Sequence, residues 1–245
     1  MRPPVMTRLF HVSDIHFGRE DQAAVRWFAD MVHAERPDAV VCTGDLTMRA
    51  RSHEFEAAGA WLKSLDVPVT VEVGNHDLPY FNPFARLLNP YRRYQAVESM
   101  IEAELDLPGV LVVPLKTTAR FQLRNLSHGR VSRSGLKAAL AMLADKPAGS
   151  TALIAAHHPL IRTDFVGHGD TIRGPEALTM LAEAGADAVL SGHVHDAFDV
   201  EHRHAGRTIR LIGAGTLSRR VRSTPPSFNE IAIGRGRLDV TARTM

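Results

Sequence analysis

Short apolar runs that end at a glycine, a proline or a polar residue are the feature that most constrains the fold of this chain. The runs are rich in valine, isoleucine and alanine, a composition typical of buried strands. Glycine and proline at their ends mark the turns that follow. We therefore predict strands over residues 9–13, 39–43, 67–73, 151–156, 186–190 and 208–212, and a closing hairpin over residues 228–233 and 237–241.

Amphipathic segments lie between the predicted strands. Their apolar residues recur at helical spacing, which predicts helices over residues 21–35, 52–65, 134–143 and 175–184. Alternation of strands and helices favours an α/β fold, and a length of 245 residues favours one domain.

One segment, residues 78–108, departs from this alternation. It begins rich in proline, asparagine, tyrosine and arginine, and it becomes helical over residues 94–105. We predict that it is an insertion that caps the ends of the strands.

Polar side chains stand directly after five of the apolar runs. Ligands of open α/β sheets bind where the carboxyl ends of the strands converge, so residues far apart in sequence are expected to form one site there. Carboxylate, imidazole and amide oxygen donors together suit Mn²⁺, Fe²⁺/Fe³⁺, Zn²⁺ or Co²⁺. The candidate residues are Asp14, His16, Asp45, Asn75, His76, His157, His193 and His195.

The composition narrows the class of protein. A single cysteine beside 13 histidines excludes an intramolecular disulfide framework and a Cys₄ metal site. A net charge of +2 gives no case for nucleic-acid binding. No apolar stretch reaches the roughly 18–20 residues of a membrane span, and no targeting signal stands at the N-terminus, so we expect a cytoplasmic protein without membrane contact.

The strand-end motifs, taken together and in order, resemble the signature of the calcineurin-like metallophosphoesterases. Each motif alone is a weak or moderate signal, whereas the ordered set is specific. The residues after Gly44, with Glu54 and Trp61 beyond them, are similar to the class III cyclic nucleotide phosphodiesterase branch. The motifs are Asp14-Ile-His16, Gly44-Asp45, Gly74-Asn-His-Asp77, His157 and Gly192-His-Val-His195.

The resemblance implies a fold and a metal pair. The fold is a four-layer α-β-β-α sandwich of two mixed sheets flanked by helices. Two cations clamp the attacking and leaving oxygens, and a metal-bridging hydroxide attacks phosphorus in line. By the family pattern, the first metal is held by Asp14, His16 and His195, the second by Asn75, His157 and His193, and Asp45 bridges them.

His76 is implied to be the catalytic residue that is not a metal ligand. It follows Asn75 directly, and the resemblance gives it contact with the phosphoryl oxygens or with the leaving alkoxide. Asp77 either orients this imidazole or closes the local turn. Asn75 is implied to bind substrate as well as metal.

Several choices stay open at this point. Either His157 or His158 could face the metals, and the family pattern favours His157. Arg49 either reaches a phosphate or belongs to a solvated helix start. His168, in the loop after the His157 strand, is a candidate substrate contact. The aromatic and arginine side chains of residues 80–94 suit base stacking, a homodimer contact or a packed cap.

The predicted function is that of a dinuclear metal-dependent phosphodiesterase. The branch resemblance implies a small-molecule substrate, a 3′,5′-cyclic nucleotide, with cyclic AMP as first choice. A broad phosphodiesterase or phosphomonoesterase acting on glycerophosphodiester-like or nucleotide esters is the alternative. A non-catalytic scaffold on the same fold is more remote, because every ligand position carries a competent donor.

Overall fold

The computed structural model describes residues 6–102, 105–121, 125–162, 171–234 and 236–245. None of the helices in these ranges combines the length and the apolar character that crossing a membrane requires. In chain order the elements are β1 (Thr7–Val12), α1 (Gln22–Glu35), β2 (Ala39–Cys42), α2 (Ser52–Ser64), β3 (Val69–Val71), α3 (Pro83–Leu88), α4 (Arg92–Ile101), β4 (Val110–Pro114), α5 (Arg133–Ala144), β5 (Thr151–Ala155), α6 (Gly174–Glu183), β6 (Ala188–Ser191), β7 (Phe198–His204), β8 (Arg207–Gly213), β9 (Ser227–Gly234) and β10 (Arg237–Thr244).

Two mixed five-stranded sheets carry the fold. The first has the order β10-β9-β1-β2-β3 and the second the order β4-β5-β6-β8-β7. Strands β1, β2 and β3 are parallel, as are β4, β5, β6 and β8, while β9, β10 and β7 run antiparallel to their neighbours. The carboxyl ends of the parallel strands in each sheet therefore lie at one edge.

Three apolar clusters separate four layers. Strand β1 shows the alternation that produces them, because successive side chains point to opposite faces of a sheet. Phe10 packs with Phe28 of α1 in an outer cluster, whereas Leu9 joins Leu153 and Ile231 in the cluster between the two sheets. The second sheet packs on α5 and α6 through its own outer cluster. This arrangement confirms the predicted α-β-β-α sandwich.

Two strands and one helix were not predicted. The side chains of β7 alternate between half-buried and exposed and include Asp199, Glu201 and Arg203, so this edge strand has no apolar run. Strand β4 was not predicted although its sequence is apolar. The helix α3 is only six residues long and begins at Pro83.

The predicted insertion 78–108 divides into two parts. Helix α4 lies in the outer helical layer, where Tyr94 and Val97 join the cluster of α1 and α2, and Tyr94 Oη donates a hydrogen bond of 2.7 Å to the Val71 carbonyl. The part before α4 borders the strand ends instead, through Tyr80 and Phe81.

Candidate metal centre

The loops after β1, β2, β3, β5, β6 and β8 meet at one end of the sandwich, and backbone hydrogen bonds connect them. Asp14 N donates to the Gly44 carbonyl at 3.0 Å, and Gly192 N donates to the His157 carbonyl at 2.9 Å. The backbone N–H of His193 donates to Asp14 Oδ2 at 2.7 Å, which connects a loop of the second sheet with a loop of the first.

One group of three predicted ligands is compact. The Nε2 atom of His195 lies 3.1 Å from Asp14 Oδ1 and 3.2 Å from His16 Nε2. The Nε2 atom of His16 lies 3.6 Å from the same Asp14 oxygen. All three side chains are buried. The structure thus brings together the residues predicted for the first metal.

A second group lies around His157. Its Nε2 atom is 3.2 Å from Asn75 Oδ1 and 3.4 Å from Asp45 Oδ2. Asp45 Oδ2 is also 3.7 Å from His16 Nε2, so this one oxygen lies between the two groups. The His193 ring packs against His157 with a centroid distance of 5.3 Å. Asp45 therefore has the position that a bridging ligand requires.

Backbone carbonyls fix the orientation of four imidazoles. Each Nδ1 atom faces a carbonyl oxygen, which can only accept, so Nδ1 carries a proton and the lone pair of the neutral ring is at Nε2. The Nε2 lone pairs are consequently available to a metal in the space between the loops. The contacts are His16 Nδ1 to Thr47 O (3.4 Å), His76 Nδ1 to Met48 O (2.9 Å), His157 Nδ1 to Thr43 O (2.7 Å) and His195 Nδ1 to Arg220 O (2.7 Å).

The same criterion separates His157 from His158. Both ring nitrogens of His158 have protein partners: Nε2 donates to the Ser127 carbonyl at 3.0 Å, and Nδ1 accepts from Thr117 Oγ1 at 2.9 Å. His157 has such a partner at Nδ1. Its Nε2 faces the carboxamide oxygen of Asn75 and a carboxylate oxygen of Asp45. The geometry favours His157 as the ligand.

Left-handed backbone conformations concentrate at this site. Non-glycine residues rarely adopt positive φ, because each costs about 1–3 kcal/mol and persists only where surrounding contacts enforce it. Hydrogen bonds of neighbouring loops hold these residues in place. Five of the seven predicted ligands have positive φ: Asp14 (56°), His16 (51°), Asp45 (52°), His193 (71°) and His195 (64°).

Two glycines allow the loops to approach the carboxylates. A Cβ atom on Gly74 would lie 2.1 Å from Asp45 Oδ1, and one on Gly192 would lie 2.5 Å from Asp14 Oδ2. Real Cβ atoms do not come this close to other atoms, so any larger residue at either position would displace the carboxylate.

The carboxylates and imidazoles of the site shift one another's pKa values. Burial alone would raise the pKa of Asp45, but His157 and His76 outweigh it and hold that pKa below its usual range. Burial lowers the pKa of His157, and the carboxylate of Asp45 overcompensates and raises it to about 9, so a metal that binds at Nε2 replaces a proton there. Burial together with His157 lowers the pKa of His193 to about 3, which keeps this imidazole neutral.

The donor set fits cations. Among the described residues, Asp14 Oδ1 is buried without a hydrogen-bond donor, and a buried carboxylate oxygen is costly to leave unpaired. The ligand atoms of Asp14, His16 and His195 lie within 4.8 Å of one another, and so do those of Asp14, Asp45 and His157. Carboxylate oxygens and neutral imidazoles at this spacing are the ligands of Mn²⁺, Fe²⁺/Fe³⁺, Zn²⁺ or Co²⁺.

His76 lies at the rim of the site and Asp77 behind it. His76 N donates to Asp45 Oδ1 at 2.7 Å, and its ring is directed by Met48 as described. The carboxylate of Asp77 accepts from the backbone N–H groups of Leu46, Thr47 and Gly74 and from Thr47 Oγ1.

These contacts are those of a carboxylate that closes the turns, which was one of the two alternatives for Asp77. The predicted orientation of the His76 imidazole comes from the Met48 carbonyl. Burial, with the charge of Asp45 adding to it, raises the pKa of Asp77 to about 7.

Arg220 was not predicted as a site residue. It follows β8, and its Nη1 atom lies 3.1 Å from His76 Nε2 and 3.2 Å from His16 Nε2. With Arg162 and Arg222 it lines a pocket of about 280 Å³ that also exposes Asp45, Asn75 and His76. The sequence carries a signal for it, because the apolar run of β8 also ends in a glycine-rich loop, as several of the site-bearing runs do.

An apolar pocket adjoins the arginine-lined one and shares Asn75, His76 and Ser127 with it. It has a volume of about 240 Å³ and is lined by Met48, Tyr80, Phe81 and Leu126 as well as by Arg49. The Arg49 guanidinium lies 5.7 Å from the centre of the Phe81 ring. Arg49 thus borders the site, whereas the predicted substrate contact His168 lies outside the described residues.

Comparison with known proteins decides the family. The family model for calcineurin-like phosphoesterases matches residues 7–197. The chain belongs to this family. The resemblance that the strand-end motifs indicated is thereby confirmed, and the calcineurin-like phosphoesterase described here is a metal-dependent phosphoester hydrolase.

Its relatives have different substrates in their names. A probable cyclic nucleotide phosphodiesterase from Synechococcus sp. is 27% identical over 202 residues, which cover 76% of this chain and 72% of that protein. A glycerophosphodiester phosphodiesterase from Enterobacter lignolyticus is 29% identical over 170 residues, covering 62% of this chain and 57% of that protein. A dimetal phosphatase from Danio rerio, 16% identical, superposes with a TM-score of 0.66 over 99% of both chains and shows a shared fold.

Proposed function

We propose that this phosphoesterase holds two cations and hydrolyses the phosphodiester of a 3′,5′-cyclic nucleotide. The observation that carries the metal pair is the position of Asp45 Oδ2, 3.7 Å from His16 Nε2 and 3.4 Å from His157 Nε2. A single carboxylate there serves both groups of ligands. When bound, such a pair supplies Lewis acidity and an activated water for in-line attack on phosphorus.

We divide the ligands between the two cations according to the two groups that their side chains form. We assign Asp14, His16 and His195 to the first, and Asn75, His157 and His193 to the second, with Asp45 shared. The carbonyl-bound Nδ1 atoms keep the rings in place before and after a metal binds, which limits the reorganisation that binding requires.

His76 and Arg220 act on the phosphoryl group in this proposal. The Arg220 guanidinium donates to phosphoryl oxygens, so a phosphate in the pocket competes with the two imidazoles for its Nη1 atom. The Nε2 atom of His76 faces the pocket. When this nitrogen carries a proton, it donates that proton to the leaving oxygen.

The apolar pocket supports the nucleotide. A nucleobase is planar, and aromatic side chains bind it by stacking. Phe81, Tyr80 and Met48 line a pocket together with His76, next to the arginine-lined pocket. A nucleoside phosphate placed with phosphorus at Asp45 therefore has an apolar surface available for its base. The Synechococcus relative, a probable cyclic nucleotide phosphodiesterase, supports the same choice.

The arginine-lined pocket supports a second candidate. Arg162, Arg220 and Arg222 favour an ester with an extra anionic group and have no need of a base. Glycerophosphodiester-like esters and nucleotide monoesters fit that description, and the Enterobacter relative is a glycerophosphodiester phosphodiesterase. The scaffold alternative has less support, because the side chains of all seven proposed ligands carry donor atoms at the site.

One experiment tests both the reaction and the substrate. The Mn²⁺-loaded protein is assayed side by side on cyclic AMP, cyclic GMP, a glycerophosphodiester and an aryl phosphomonoester. We expect the highest kcat/KM on a cyclic nucleotide. Good turnover of another ester, with none of either cyclic nucleotide, would contradict the substrate, and no turnover of any ester in Mn²⁺, Zn²⁺, Co²⁺ or Fe²⁺ would contradict the reaction.

A further inference from the structure

A separate cavity of about 530 Å³ lies where the edge strands of the two sheets come together. It is bounded by β3, the edge of the first sheet, and by β4, the edge of the second. One wall carries the carboxylates of Glu72, Glu98 and Glu102, and the other is apolar and includes Leu111 and Met142. The cavity shares no lining residue with the metal-centre pocket.

Glu72 is the residue that points to a ligand. Its exposed fraction is 7%, and among the described residues its carboxylate has no hydrogen bond and no ion pair. Val71 and Val73 on either side of it pack into the outer apolar cluster, so Glu72 points to the opposite face, towards β4 and the cavity. A carboxylate buried in this way is costly unless a proton or a cation neutralises it.

The other two carboxylates are positioned on the same wall. Glu102 accepts from Thr70 Oγ1 at 2.7 Å and from Val71 N at 3.4 Å, which fixes its carboxylate beside β3. Glu98 comes from the last turn of α4. The wall therefore presents three acidic groups to one space.

Lys116, whose charge acts on Glu72, does not neutralise this wall. Lys116 Nζ lies over the Tyr91 ring, 4.4 Å from its centre, and forms no ion pair with a described carboxylate. Burial, with Glu102 and Glu98 adding to it, raises the pKa of Glu72 to about 8, and Lys116 opposes that rise only in part. The environment thus favours either a proton or a bound cation at Glu72.

We propose that this cavity binds a small organic cation, with its ammonium or guanidinium group against Glu72, Glu98 and Glu102 and its hydrocarbon stem along Leu111 and Met142. The volume lies within the range of small-molecule sites, which is about 300–1,000 Å³. A metal ion fits less well, because the compact groups of metal-ligating atoms found among the described residues all lie in the metal centre. A polyamine has both the charge and the stem that the two walls require.

Calorimetric titration of the metal-loaded protein with spermidine tests the proposal. We expect spermidine to bind the wild type, and Glu72→Gln to weaken it about ten- to hundredfold, as expected for loss of a charged hydrogen-bonding partner. Glu201→Gln, on the exposed face of β7, is the matched control and leaves the affinity unchanged. The neutral 1,8-octanediol gives no binding heat, which separates charge from stem.

Three results would overturn the proposal. They are absence of spermidine binding at millimolar concentration, equal affinity in wild type and Glu72→Gln, and tighter Glu72-dependent binding of Ca²⁺ than of spermidine. Circular dichroism checks the fold of the variant. If Glu72→Gln does not fold, Glu98→Gln on the half-buried face of α4 replaces it, and an unchanged affinity in that variant overturns the proposal equally.

Discussion

The metal centre and the aromatic rim beside it, residues 80–88, are neighbours that differ in the burial of their side chains. In the centre, Asp14, His16 and Asp45 are at most 1% exposed, and each is held by hydrogen bonds to another loop. On the rim, the exposed fraction of Phe81 is 72% and that of Phe84 is 77%. The two sheets hold the proposed ligands in place, whereas the aromatic side chains to which we assign base recognition are exposed.

This difference predicts two kinds of mutational effect. A change in the centre removes a group whose position the backbone enforces, so it affects metal content or kcat. A change on the rim leaves that machinery in place, so it affects KM and depends on the substrate. The variants below test this division in order of decreasing effect.

The largest effect is expected for Asp45→Asn. The amide cannot bridge two cations as a carboxylate does, so Mn²⁺-dependent hydrolysis of an aryl phosphodiester is expected to fall to background. Metal content, measured by elemental analysis, falls with it, while circular dichroism shows a retained fold.

Asp66→Asn is the matched control for this variant. Asp66 has a φ of 54°, close to the 52° of Asp45, but it is exposed and pairs with Arg36. Full activity in Asp66→Asn excludes a general effect of an amide at such a backbone position. Undiminished turnover in Asp45→Asn would show that the metal pair does not depend on the shared carboxylate.

His76→Ala is expected to lower kcat by about 10²–10⁴-fold without loss of metal, since it removes a proton donor and no ligand. Stopped assays give kcat, and elemental analysis gives the metal content. His53→Ala, an exposed histidine at the start of α2, is the control and leaves both unchanged. A loss confined to metal occupancy would show that His76 is a metal ligand rather than a proton donor.

The sequence predicted the centre better than the rim for a physical reason. Strand-end residues such as Asp14, Asp45 and His157 could be placed together because parallel strands end at one edge, whatever the details of packing. The apolar runs also predicted most strands and the layered fold. The period of the apolar residues and the spacing of the strand-end residues carry this information, and both are local properties of the chain.

The remaining features depend on contacts that no local pattern encodes. His157 and His158 are adjacent, and only the carbonyl and hydroxyl partners of their nitrogens distinguish them. Arg220 reaches the centre from a loop after β8, and its approach to His76 follows from tertiary packing. The exposed strand β7 has no apolar run to predict it.

Arg220→Gln tests a residue at the boundary of the two regions. Loss of a charge-assisted donor to the phosphoryl group is expected to raise KM about tenfold for every ester, with metal content unchanged. Arg220→Lys restores part of the affinity, since it keeps the charge without the planar fork. Arg219→Gln, the exposed neighbour, is the control. A loss of metal in Arg220→Gln would instead show that Arg220 holds His16 in position.

The smallest and most selective effect is expected on the rim. Phe81→Ala removes the ring over which Arg49 lies, and base stacking contributes about 1–3 kcal/mol. Because Phe81 is exposed, the low end applies, and KM for a cyclic nucleotide is expected to rise about fivefold with kcat unchanged.

Two comparisons sharpen this last prediction. Phe84→Ala, on α3 and outside the apolar pocket, leaves KM for the nucleotide unchanged, although Phe84 is as exposed as Phe81. A glycerophosphodiester has no base, so its KM is the same in Phe81→Ala and wild type. An equal rise for both esters would mean that Phe81 shapes the metal centre itself, and the separation between fixed chemistry and adaptable recognition would then fail at this residue.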